Sequence, residues 1–272
     1  MSWFRRSEKT DHDPDAPMSL FEHLAELRMR IIRAGLAILI GAVLVVAFYD
    51  TVLGWLTEPY GKLCRSKPDG YCGQAYDRET DSVSLIFLDP VEGLTTRLRV
   101  SFYGGIVLAL PVLLWQIWKF VVPALHKSEK RYAVGFVASS VTLFLTGGFI
   151  AFTTLERALE FLIDWAGADV EGIFQVSSYI RLVTLMVVAF GVGFTIPVML
   201  VFLQLLGVLT PQVLLSAWRY AIVGTFLVAA AITPSGDPIS LLALSVPMVV
   251  LYFVAILIGR LVQRSRRRRE AA

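Results

Sequence analysis

The chain has 272 residues, 56% of them hydrophobic and only 17% charged, with a mean hydropathy of +0.66. A soluble domain is nearer a quarter charged, so the composition excludes an ordinary water-soluble fold and predicts an integral membrane protein. The first 17 residues hold Arg5, Arg6, Lys9, Asp11, Asp13, Pro14, Asp15 and Pro17 with no apolar stretch among them, so residues 1–18 read as a disordered tail rather than a cleavable signal peptide.

Ser19 and Glu22 form an S-x-x-E capping box that marks a helix start. Leu20, Leu24, Leu27 and Ile31 then recur at helical spacing as one apolar stripe, and Glu22, Glu26 and Arg30 recur at spacing four on another. This charged collar runs unbroken into a first span, about 31–49. A polar stretch, 50–89, follows and reads as a loop. The second span is about 92–118 and the third 132–155, with a short loop between them that carries Glu129. An acidic loop with Glu156, Glu160, Asp164, Asp169 and Glu171 leads to a charge-free run too long for one span, which Gly207 and Thr210-Pro211 divide. The last three spans are about 182–206, 214–232 and 239–259, and residues 260–272 form a basic tail. The expected fold is an all-α polytopic membrane protein with a six-helix domain over 19–259.

Six spans place both termini on one side. Lys and Arg number 17 on that side and 8 on the other, while Asp and Glu run 8 against 14, so both termini are expected in the cytoplasm. Pro111, Pro197 and Pro247 fall inside spans and predict kinks that together make a concave wall. The Arg run of the tail fits an anchor on anionic lipid better than a nucleic-acid site. Arg219 and Asp237 are 18 residues apart, about 27 Å of helix, so the hairpin of the last two spans is short for the bilayer. It either thins the membrane or lets its flanking charges snorkel.

Cys64 and Cys72 lie together in the outward-facing stretch, where a disulfide persists; two unpaired thiols are the plainer alternative. Neither a metal-ligand spacing nor a nucleophilic triad is visible, so no metal, cofactor or catalytic chemistry is expected. Glu26 beside Arg30 is an ordinary i, i+4 pair on its own. With Glu129, expected on the same side, it becomes two carboxylates able to receive arginines, whose planar fork matches a carboxylate. Thr195, Gln204 and Asp237 are the polar positions in or beside the later spans that could meet a partner helix. No ionisable residue sits in the core of a span, which weighs against the competing class, a small-molecule transporter or channel.

His23-Leu-Ala-Glu-Leu-Arg-Met-Arg30 resembles the H-L-x-E-L-R-x-R of the TatC family, the multi-spanning core subunits of the twin-arginine protein translocase. Asp89-Pro-Val-Glu92, the stretch from Pro111 through Gln116, Trp118, Phe120, Pro123 and Leu125 to Glu129-Lys-Arg131, Phe190 to Pro197, and Thr233-Pro-Ser-Gly-Asp237 are similar to further family motifs in the same order. The resemblance covers about 20–259. It implies a receptor rather than an enzyme, one that binds twin-arginine signal peptides of folded cargo at Glu26, Arg28, Pro111, Phe120, Pro123 and Glu129. It also implies single-span partners of the TatA and TatB types against the last two spans, an oligomeric complex in the prokaryotic plasma membrane, and transport driven by the proton-motive force. Two positions differ: Thr195 stands where the family often has Glu, and Leu241 where it often has Gln.

Overall fold

The structure, a computed structural model, describes residues 20–67, 72, 75–77, 79–80, 82–121, 133–167, 172–233 and 236–270, with the backbone alone for 20–23, 82, 120–121, 133 and 265–270. Helix α1 (Leu20–Ala47) passes through a turn at Phe48 into α2 (Tyr49–Ser66). A two-stranded antiparallel hairpin follows, β1 (Tyr76–Asp77) and β2 (Ser82–Val83), with Tyr76 opposite Val83. The remaining helices are α3 (Glu92–Val121), α4 (Ala133–Ala166), α5 (Val176–Leu205), α6 (Pro211–Ser216), α7 (Trp218–Ile232) and α8 (Pro238–Glu270).

Helices α1, α3, α4, α5 and α8 contain segments long and apolar enough to cross a membrane. Helix α7 has 15 residues, about 22 Å, against a hydrocarbon core of roughly 30 Å. The break before it falls at Gly207, whose φ of 74° places it in the left-handed region. Thr210 then caps α6, its hydroxyl accepting from Val213 N, with Pro211 in the first turn. Pro111, Pro197 and Pro247 lie inside α3, α5 and α8. Asp237 caps α8: its Oδ1 accepts from Ser240 N at 2.6 Å, and its side chain is buried.

Lipid tails are as apolar as leucine, so spanning helices associate by close packing rather than by hydrophobic exclusion. Helix α1 accordingly leaves Leu36, Leu39, Ile40 and Val43 exposed and meets α3 backbone to backbone. A Cβ on Gly41 would lie 2.7 Å from Gly105 O, and one on Gly105 2.6 Å from Ala42 N. The main core lies toward the other end of the bundle from the collar, around Tyr60, Leu159, Tyr179, Ile180, Val183 and Phe190.

That far end is heavily cross-linked. Tyr60 Oη donates to Gly172 O, and Tyr179 Oη to Leu56 O at 2.8 Å. The Glu92 carboxylate accepts from Leu88 N, Ser177 N and Gln175 Nε2 at 2.8 to 3.0 Å. Lys67 pairs with Glu160, an interaction that raises the lysine pKa, chiefly through the hydrogen bond between them. Cys64 and Cys72 are joined in a disulfide with Cα atoms 5.7 Å apart.

Two sequence expectations are corrected. The polar stretch 50–89 is not simply a loop, because residues 50–66 belong to α2. Leu53, Leu56, Tyr60 and Leu63 recur at spacings of three and four, and the far-end core buries that stripe although the segment is polar overall. The acidic region after the third span is likewise helical as far as Ala166. Glu156, Glu160 and Asp164 recur every four residues, while Ala158, Leu159 and Ile163 between them are buried.

Candidate functional site

The collar end gathers most of the expected site. Glu26 and Arg30 sit one turn apart on α1 and form an ion pair through Glu26 Oε1. The same guanidinium reaches across to α3, donating from a terminal nitrogen to the backbone carbonyl of Gln116 at 3.1 Å. Arg30 is therefore nearly buried, with its side chain 10% exposed, while Glu26 stays 31% exposed. Three polar atoms in this cluster are buried and have no hydrogen-bond partner among the described residues: Glu26 Oε2, Arg30 Nε and Gln116 Oε1. A buried polar atom without a partner costs free energy, so these two acceptors and one donor call for partners beyond the described residues.

Beside it, Trp118 of α3, Phe136 of α4 and Phe202 of α5 pack ring to ring with centroids 4.7 to 5.3 Å apart. These contacts fix the inner end of α3 against two neighbours and so hold Gln116 in place. Lys119 lies over the Trp115 ring at 5.7 Å. Arg28 points away from the pair and is exposed, and so is Pro111 farther along α3. Phe120 lies in the last turn of α3, its side chain outside the described atoms; Pro123 and Glu129 lie outside the described residues.

The three polar positions of the later spans have partners within this chain. Thr195 Oγ1 donates to Gly191 O of its own helix at 2.9 Å. Gln204 Nε2 donates to Ala255 O of α8 at 3.1 Å and to Leu200 O at 3.3 Å, and it occupies the space that the missing side chain of Gly259 leaves. Asp237 is the cap already described. What sequence reading missed at the collar is the joint role of Arg30 and Gln116. Arg30 was visible as the i+4 neighbour of Glu26, whereas Gln116 is 86 positions from Arg30 and is brought there only by the α1–α3 crossing.

The fold defines a polytopic all-α membrane protein with a polar, partly unsatisfied cluster at one end of its bundle. The model of the family described as "Sec-independent protein translocase protein (TatC)" matches residues 22–247. A protein of that name from Frankia casuarinae is 36% identical over 98% of this chain and 71% of the relative; one from Aquifex aeolicus is 35% identical over 92% and 98%. A crystal structure of the twin arginine translocase receptor TatC in DDM superposes with a TM-score of 0.70 at 34% identity, covering 87% of this chain and 99% of that one. The chain belongs to the TatC family.

Proposed function

We propose that this chain is the receptor of a twin-arginine export system, binding signal peptides of folded cargo at its collar and scaffolding the translocase rather than catalysing a reaction. The observation that carries this reading is the Glu26 carboxylate near the N-terminal end of α1, one oxygen on Arg30 and the other without a partner among the described residues. An ionised carboxylate accepts a guanidinium through two parallel bonds. Glu129, on the loop expected to share that face, is the second carboxylate of the reading, and Arg28, Pro111, Phe120 and Pro123 belong to the same surface.

The reading includes six spans with both termini in the cytoplasm of a prokaryotic cell, supported by the lysine and arginine bias. It also includes single-span partners of the TatA and TatB types. Helix α7 supports them: it buries only Ala229 and leaves Tyr220, Val223 and Leu227 exposed. The basic tail rests on anionic lipid, several copies assemble in the complex, and the proton-motive force drives transport.

The test is binding of a synthetic twin-arginine signal peptide to the full chain in nanodiscs, comparing wild type, Glu26→Ala and Glu129→Ala. A tenfold loss, about 1.4 kcal/mol, is expected for each variant with its thermal midpoint retained. Wild-type affinity in both removes the carboxylates from recognition.

A further inference from the structure

We propose that the hollow between α2, α3, α4 and α5 binds one acyl chain of a zwitterionic phospholipid, with the head group held at its mouth by Glu58 and Arg65. The site lies away from the collar and does not depend on the receptor reading. Only its assignment to the outer leaflet follows from the proposed topology.

The hollow has a volume of about 450 Å³ and is walled by Trp55 and Leu56 of α2, Val107 of α3, Phe144 and Phe149 of α4, and Val187 of α5. That size lies within the range of about 300 to 1,000 Å³ that holds small ligands. Gly148 keeps the α4 wall open, since a Cβ there would lie 3.3 Å from Val187 Cγ1. Trp55, Leu145 and Phe149 at the rim are 69%, 53% and 66% exposed, so the hollow opens sideways from three spanning helices, toward the bilayer. A smaller hollow of about 90 Å³ shares Leu56, Val107 and Val187 with it and continues toward Tyr103.

Water finds no polar partners on such a wall, and apolar atoms facing a void lose their dispersion contacts. Length, bore and charge select the occupant. Along α4 the wall runs from Phe144 to Phe152, about 12 Å of helix, close to the roughly 15 Å that half of the hydrocarbon core provides. A helix with its side chains is about 10 Å across, so one turn takes up about 400 Å³, and the hollow would seat little more than a turn of a spanning partner. A single acyl chain fits along its whole length. At the mouth, Glu58 is the one charged residue of the lining among the described residues, and Arg65 is paired with it at 2.7 Å. An anion and a cation side by side complement a head group that carries both an ammonium and a phosphate. Trp55 stands beside them, in the amphipathic role that tryptophan takes at a membrane interface.

The experiment counts phospholipids retained by the full chain after a detergent wash, by native mass spectrometry. The probes are palmitoyl-oleoyl phosphatidylethanolamine and the matching phosphatidylglycerol. Wild type is expected to keep one phosphatidylethanolamine and to hold it about threefold more tightly than phosphatidylglycerol, the scale of an exposed ion pair. Glu58→Gln is expected to erase that preference. Val107→Phe puts a ring into the hollow and is expected to lower retention of both lipids about tenfold. Leu108→Phe, on the neighbouring position that is 55% exposed and outside the lining, is expected to retain lipid like wild type. Leu145→Trp adds bulk at the exposed rim, is expected to lower retention as well, and decides the matter if Val107→Phe does not fold. Wild-type retention in both filling variants, or equal loss in Leu108→Phe, overturns the site. Equal retention of the two lipids by wild type overturns the head-group assignment. Displacement of the lipid by an equimolar single-span peptide of about 20 leucine and alanine residues would give the hollow to a helix and overturn the acyl chain.

Discussion

Tyr60 is fully buried among the far-end helices, its hydroxyl on Gly172 O. Burial disfavours the phenolate and pushes the Tyr60 pKa up to about 12. An unfolded tyrosine titrates near 10, so above about pH 10 the unfolded chain binds fewer protons than the folded one. The contribution of Tyr60 is then fully present below pH 10 and falls as pH rises toward 12. Tyr60→Phe is expected to lower stability by roughly 0.5 to 1.5 kcal/mol near neutrality, the worth of one hydrogen bond, and to flatten the decline above pH 10. Thermal unfolding in detergent from about pH 8 to pH 11 tests this, and parallel slopes for the two proteins would exclude it. The sequence marked Glu26 and its pairing with Arg30, because a helical period connects them. It did not mark Tyr60 or Gln116 as members of their clusters, because their partners come from helices far away in the chain.

Between elements, the α1–α3 crossing is the contact least tolerant of change. A methyl group on Gly105 would meet Ala42 N at 2.6 Å and Ile38 O at 2.8 Å, both rigid helix backbone. Gly105→Ala is therefore expected to force the helices apart and cost about 1 to 3 kcal/mol, the usual range for overpacking, despite alanine's better helix propensity. The thermal midpoint of the variant checks this; a midpoint at or above wild type would mean that the crossing relaxes without loss. Both glycines stood in the sequence without any sign of which helix they face. The spanning helices were readable because a charge-free apolar run has no other use in a membrane protein. Helix α2 and the outer turns of α4 were harder to see: their polar faces dominate the composition, and the apolar stripes that fold them, such as Leu53, Leu56, Tyr60 and Leu63, bury only against other helices.

At the scale of the whole molecule, the fastest check concerns sidedness. In a chain whose native cysteines are replaced, single cysteines at Thr57 of α2 and Arg264 of α8 fall on opposite sides of the proposed membrane. A membrane-impermeant maleimide added to intact cells is expected to label the first and spare the second until the cells are opened. The reverse pattern would invert the topology and place Glu26 away from any cytoplasmic peptide.

The glycine contact also sets how the collar can move. With their backbones touching, α1 and α3 cannot come closer at that point, and a tilt of one helix against the other pivots there, with its fulcrum at Gly41 and Gly105. Glu26 lies 15 residues from Gly41 along α1, about 22 Å, so a tilt of roughly 5° at the fulcrum swings the collar by about 2 Å. A shift of that size exceeds what a hydrogen bond tolerates, so it parts Arg30 from the Gln116 carbonyl unless the inner end of α3 moves with α1.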